Sequence, residues 1–220
     1  MKQEERTALA NWEEYKADIS NSTPVDVNMS QAQREKHRLY LEEHPIEWIG
    51  FFFPNYAKYP FAPFHKRAIK RILNNDEWYE VLSWSRELAK STVVMFCVMY
   101  LALTGRKRNV MLASATQDSA RRLLDPYRAN LEANGRIKAY YGEQMNIGSW
   151  TDTEFIAKCG CAFRAIGAGN APRGSRNEAV RPDVLLVDDY DTDEDCRNPD
   201  IIQKKWDWYE QAFYATRSIS

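Results

Sequence analysis

Ser85-Arg86-Glu87-Leu88-Ala89-Lys90-Ser91-Thr92 lies between a strand-like run, Tyr79 to Trp84, and a long apolar run of helical character, Val93 to Leu103. A strand, a short loop and a helix opening on Lys-Ser form the setting of the phosphate-binding pattern G-x-x-x-x-G-K-[ST]. In that pattern backbone N–H groups at a helix head hold phosphate, the lysine reaches the β and γ oxygens, and the hydroxyl binds Mg²⁺. Lys90 and Ser91 fit those two roles. Both glycines are missing, with Ser85 at the first position and Ala89 at the second, so the strict pattern fails. A left-handed backbone at Ala89 would cost a non-glycine residue about 1–2 kcal/mol.

The second decisive stretch is Asp183-Val184-Leu185-Leu186-Val187-Asp188-Asp189. A short apolar run of this kind predicts a buried parallel strand that delivers carboxylates to its C-terminal end, the ligand-binding edge of open α/β sheets. In phosphate-loop NTPases one such acid holds Mg²⁺ and its neighbour orients the attacking water. Asp188 is read in the metal role and Asp189 in the water role.

Together these stretches resemble the ATPase domain of the large terminase subunit of tailed bacteriophages, the motor that packs DNA into the prohead. The deviant loop, with Arg86 after its first position, is similar to that family's. So is Gly167-Ala168-Gly169-Asn170-Ala171-Pro172-Arg173-Gly174 followed by Arg181-Pro182-Asp183, and so is Trp206-Asp207-Trp208-Tyr209 after the acidic strand. The likeness runs from about Ile46 to the C-terminus. It implies ATP and Mg²⁺ as ligands, with Ser85 to Thr92 around the phosphates and Arg86 as a cis arginine finger or nucleotide sensor. Phe64 and His65 would lie at the adenine, His65 standing where relatives commonly have Gln. Asp189 stands where many have Glu. The implied partners are double-stranded DNA, a portal protein, the small terminase subunit and further copies in a ring. The implied setting is the host cytoplasm, with no membrane partner.

Composition agrees with one α/β domain plus an appendage. The chain has 220 residues, 28% of them charged, and a net charge of −1, so DNA contact requires a local basic patch rather than a global field. Cys97, Cys159, Cys161 and Cys196 form no C-x-x-C pair and have no histidine at zinc spacing, which reads as reduced thiols with Cys97 in the core. The N-terminus lacks the apolar segment of a signal peptide, and Val93 to Leu103 is too short for a membrane span.

Residues 1–45 read as a helical leader, with Ser30-x-x-Gln33 as a capping box for a helix running to His44, where Pro45 ends it. The aromatic stretch from Trp48 to Phe64 is expected to pack this leader on the core. Arg108 to Ser114 reads as a strand followed by a helix from Asp118 to about Asn134, stopped by Gly135. Leu123, Leu124, Tyr127 and Leu131 form its apolar face; Arg121, Arg122 and Arg128 lie opposite, as a solvated face or a DNA contact. Glu154–Ala157 and Cys161–Ile166 flank Lys158-Cys159-Gly160 as a hairpin. Arg173 and Arg176 in the glycine-rich stretch are candidates to meet phosphate. Spacing excludes a calcium loop in the acidic cluster from Asp188 to Asp195, because its sixth and twelfth positions are Asp193 and Pro199. Its farther acids are expected to face solvent. Asn198 and Pro199 open a helix whose stripe Ile202, Trp206, Tyr209 and Phe213 is expected in the core.

The expected architecture is a three-layer α/β phosphate-loop NTPase of the ASCE type, with a mainly parallel sheet, the leader at 1–45 and the ATPase core at 46–220. The family pattern places its coupling-motif strand and nuclease domain after Ser220, so no nuclease activity is expected here. Two rivals are a DNA-dependent helicase and a nucleotide-binding module without turnover. The first lacks its Asp-Glu-x-His box in this chain and the length for a second motor domain; Ala89 speaks for the second.

Overall fold

The computed structural model describes residues 3–172, 180–192 and 195–218. The glycine-rich segment's Arg173, Gly174 and Arg176, and Asp193 and Glu194 of the acidic cluster, lie outside the described residues. The chain divides into two compact units, one of residues 1–104 and 129–144, the other of residues 105–128 and 145–220. Among the described residues it has eight α-helices and one open, mixed, four-stranded sheet, an α/β fold.

The first unit is helical. Its helices are α1 (Gln3–Ser22), α2 (Gln31–Glu43), α3 (Pro45–Phe52), α4 (Pro63–Asn74) and α5 (Lys90–Leu103), with α7 (Gly135–Tyr141) from its second segment. The capping box forms as read: Ser30 Oγ accepts the Gln33 N–H at 3.3 Å while Gln33 Oε1 accepts the Ser30 N–H at 2.8 Å. Pro45, read as a terminator, instead takes the first position of α3, where its missing N–H costs nothing, and His44 ends one helix and begins the next. The apolar run around α5 leaves it no polar face, so this helix is buried nearly all round.

The aromatic stretch supplies much of this unit's core, since Trp48, Phe52 and Phe53 are fully buried, although Tyr59 is exposed. The buried polar tip of Trp48 finds a partner. Trp48 Nε1 donates to the Tyr141 hydroxyl at 2.8 Å, and that hydroxyl donates to Glu42 Oε1 at 2.9 Å. Burial first, then the Glu42 carboxylate, pushes the Tyr141 phenol far above its usual range, so it stays a donor. The helix preceding Gly135 ends at Ala133, as read, and Gly135 itself opens α7, with Asn134 as its cap, accepting the Ile137 N–H at 3.0 Å. A Cβ at Gly135 would stand 2.8 Å from the Thr23 carbonyl, so close approach rather than termination explains this glycine.

The second unit holds the sheet: β1 (Asn109–Ser114), β2 (Glu154–Ile156), β3 (Ala162–Gly167) and β4 (Val184–Val187), in the order β2-β3-β1-β4. β3, β1 and β4 are parallel, with Leu112 opposite both Ala165 and Leu186; β2 pairs antiparallel with β3 as the expected hairpin. β4 is an edge strand of this sheet and is only half-buried, with Val187 40% exposed, not the fully buried strand its apolar run suggested. Helix α6 (Gln117–Ala133) contributes Ala120, Leu124 and Tyr127 to this unit's core and Ala129 and Leu131 to the first. Leu123 is half-buried.

Tyr79–Trp84 belongs to no strand of the described sheet. Its side chains alternate as a strand's would, Glu80, Leu82 and Trp84 half-buried between exposed neighbours, with Tyr79 66% and Val81 77% exposed. Side chains rather than a backbone ladder anchor it: Trp78 Nε1 donates to Glu80 at 2.8 Å and Arg71 pairs with the same carboxylate. The sequence pattern specified a face, and among the described residues no strand pairs with it.

Helix α8 (Pro199–Trp208) starts as expected, with Asn198 Oδ1 accepting the Asp200 N–H at 3.0 Å. Its stripe departs from expectation, because Ile202 is 42% and Trp206 50% exposed while Phe213 is buried. The cause is a π-helical turn at Tyr209–Phe213. Wider spacing pairs residues five apart, so Trp208, not Trp206, stacks on Phe213 with centroids 5.4 Å apart. Phe213 in turn joins Met111, Ala113 and Ile166 in the sheet's core.

Candidate functional site

In the first unit, the loop Ser85–Thr92 runs into α5, which opens on Lys90. Ala89 is the residue before that helix, with φ 56° and ψ 33°, squarely left-handed, and Glu87 two residues earlier has φ 66°. Two non-glycine residues in this region within three positions make a strained turn. Among the described residues no side chain caps α5 at Ala89. Lys90 and Thr92 are half-buried; Ser85, Arg86 and Ser91 are exposed.

Helix α4 holds this loop. The Ala62 N–H donates to His65 Nδ1 at 3.2 Å, and His65 Nε2 donates to the Leu88 carbonyl at 3.0 Å. Phe64 and His65 lie with ring centroids 4.1 Å apart and both contact Trp84, at 5.0 and 5.4 Å. Trp84 immediately precedes the loop.

In the second unit, three parallel strands end together. The Asp188 N–H donates to the Ala113 carbonyl at 3.1 Å, and the Ala168 N–H to the Ser114 carbonyl at 2.9 Å. Asp189 takes a left-handed backbone, φ 47°, and its carbonyl accepts both Ser114 Oγ and the Ala115 N–H, each at 3.1 Å. Asp188 is half-buried and its carboxylate accepts the Asp189 N–H at 3.1 Å; the Asp189 side chain is exposed. Gly167 closes β3 where nothing larger fits, since a Cβ would lie 2.5 Å from the Gln117 nitrogen. Gln117 Oε1 then accepts the Gly167 N–H at 2.9 Å and Asn170 Nδ2 at 3.1 Å, tying the glycine-rich stretch to the head of α6.

The farther acids are not simply solvated. Lys205 Nζ donates to the Tyr190 carbonyl at 2.7 Å, lies 3.7 Å from Asp191 and pairs closely with Asp195. That lysine, with Thr192 adding to it, lowers the Asp195 carboxyl to about 2. The α6 arginines read as a solvated face or a DNA contact are engaged locally: Arg121 with Asp152 at 3.9 Å, Arg128 with Asp125 at 3.8 Å and Arg122 with Ser119 Oγ at 3.4 Å. Cys97 is buried, which pushes its thiol up to about 12 and leaves it inert.

Two features escaped the sequence reading. One is the double engagement of His65. The other is the outer face of α4, where Lys66, Arg67 and Lys70 are exposed and have no ion-pair partner among the described residues. The i, i+4 spacing of Lys66 with Lys70 and of Arg67 with Arg71, opposite buried Ala68, Ile69 and Leu73, is a sequence signal for such a face. No helix among the described residues is long and apolar enough to cross a membrane. Compared with known proteins, the chain matches no family model and no curated protein.

Proposed function

We propose that the chain is a Mg²⁺-dependent ATPase domain of a DNA-packaging motor of the terminase large-subunit type. The observation that supports this reading is the left-handed Ala89 at the head of α5, a backbone that glycine usually takes in such loops, followed directly by Lys90 and Ser91. In this reading a three-layer ASCE core binds ATP. Lys90 and the loop N–H groups hold the phosphates, Arg86 senses or stabilises the γ-phosphate, and Asp189 orients the attacking water. The Ser91 hydroxyl and the Asp188 carboxylate are hard oxygen donors of the kind Mg²⁺ takes beside substrate phosphates, and the ion would neutralise charge on the β and γ oxygens. Double-stranded DNA, a portal protein, a small subunit and further copies in a ring, in the host cytoplasm, are the partners and setting this reading carries.

For DNA, the α4 cations Lys66, Arg67 and Lys70, which have no ion-pair partner among the described residues, are better placed than the engaged arginines of α6. Lys66→Glu with Lys70→Glu should weaken duplex binding and lower its salt dependence by about one unit per lost phosphate contact. An unchanged salt slope would clear α4 of that role.

The reading is tested by titrating wild type and Lys90→Ala with Mg²⁺ and a non-hydrolysable ATP analogue in a calorimeter. Strong loss in the variant is expected; equal affinities would remove the loop assignment. A nucleotide-binding module without turnover is the second reading, favoured by the position of Tyr79–Trp84 outside the sheet. Analogue binding with no phosphate release would select it.

A further inference from the structure

We infer that His65 is a positioning residue for the phosphate loop: its imidazole aims a loop N–H toward the triphosphate and does not read the base. The inference rests on the nucleotide reading above.

Both ring nitrogens are committed within the protein. Nδ1 accepts the Ala62 N–H at 3.2 Å, so it carries no proton, and the proton of the neutral ring lies on Nε2, which donates to Leu88 at 3.0 Å. Neither nitrogen is left for the edge of a purine.

The carbonyl His65 grips belongs to the peptide joining Leu88 to Ala89, between the left-handed residues Glu87 and Ala89. In a planar trans peptide the C=O and the N–H point in opposite directions. Holding the Leu88 oxygen toward α4 therefore turns the Ala89 N–H away from it. That amide is the last one before α5 and belongs to the set that cradles phosphate in such loops. Glycine would let this peptide plane turn freely, and with alanine its strained orientation needs an external hold. His65 provides one, and its ring contact with Trp84 steadies the other end of the loop.

Glutamine carries the same pair of groups, an oxygen acceptor and an N–H donor, so His65→Gln should preserve the latch and His65→Ala should remove it. The test measures two things in wild type and both variants. The first is hydrogen exchange of the Val93 amide, which bonds to the Ala89 carbonyl at 2.9 Å, in ligand-free protein. The second is the calorimetric affinity for ATP, GTP and inorganic tripolyphosphate, each with Mg²⁺. Losing one hydrogen bond should speed Val93 exchange in His65→Ala by up to about tenfold. It should also lower all three affinities by a common factor, with His65→Gln close to wild type in both respects. A loss confined to ATP, with tripolyphosphate unaffected, would make His65 a base reader and overturn the inference. So would unchanged Val93 exchange in His65→Ala. If wild type binds none of the three ligands, the nucleotide reading falls, and the exchange measurement still decides whether the latch exists.

Discussion

Asp183 and Asn109 bond to each other twice: the Asp183 N–H donates to the Asn109 carbonyl at 3.0 Å, and Asp183 Oδ1 accepts the Asn109 N–H at 2.8 Å. The other carboxylate oxygen accepts the Arg108 N–H at 2.8 Å, so one side chain starts β1 and sets its register with β4. Asn109 is buried, and removing the carboxylate takes this acceptor from its N–H. Asp183→Ala should cost about 1–3 kcal/mol of stability. Asp183→Asn, which keeps one acceptor oxygen, should cost less. Urea denaturation measures both, and a wild-type midpoint for Asp183→Ala would show that the clamp contributes nothing.

Ala89→Gly should stabilise the chain. Relief of the left-handed strain is worth about 1–2 kcal/mol, offset by about 0.4–1 kcal/mol of added freedom in the unfolded chain. A net gain of up to about 1.6 kcal/mol in denaturant is expected, with tighter binding of an ATP analogue. Lower stability in the glycine variant would mean that the loop takes ordinary angles in solution.

Asp189→Asn should keep the fold, because Asn tolerates the left-handed conformation found there. It should leave Mg²⁺–ATP binding nearly intact while lowering phosphate release by about 100-fold or more. Asp188→Asn should weaken the metal-dependent binding itself. Reversal of that pattern would exchange the two roles.

Lys205→Met should move the titration of Asp195. Its folded carboxyl lies at about 2, below the ordinary value of about 3.9, so its contribution is complete above pH ~4 and is lost as pH falls toward 2. Without the lysine its pKa should rise toward the ordinary value, and acid loosening of the turn should begin at higher pH. Carboxyl NMR titration of Asp195 reads this directly, and an unmoved pKa would assign the shift to Thr192.

Much of the local structure was legible in the sequence, and the reason is that its signals are local. Apolar continuity marked α5, the Ser30/Gln33 box marked α2, and Asn198-Pro199 marked the start of α8. Two misses share a nonlocal cause. Tyr79–Trp84 has the alternation of a strand, but alternation encodes which side is covered and not which backbone lies alongside. Gly135 carries the signature of a helix stop, while its reason for being glycine is the distant Thr23 carbonyl. At the candidate site, Lys90 and Ser91 were visible through their motif. The grip of His65 on Leu88 spans 23 residues and has no motif.

The π-turn at Tyr209–Phe213 has a further consequence, one of phase. A regular helix advances each side chain by about 100° around its axis, and the turn inserts about one residue's worth of rotation without ending the path. It lets one continuous segment serve two directions, Trp206 facing outward before it and Phe213 facing the sheet after it. Regularising the turn into an ordinary helix with its length kept would swing Phe213 off the sheet, whereas deleting one residue, such as Gln211, would leave Phe213 four residues after Trp208 and still on its face. The surplus residue thus acts as a phase shifter, and its length matters more than its chemistry.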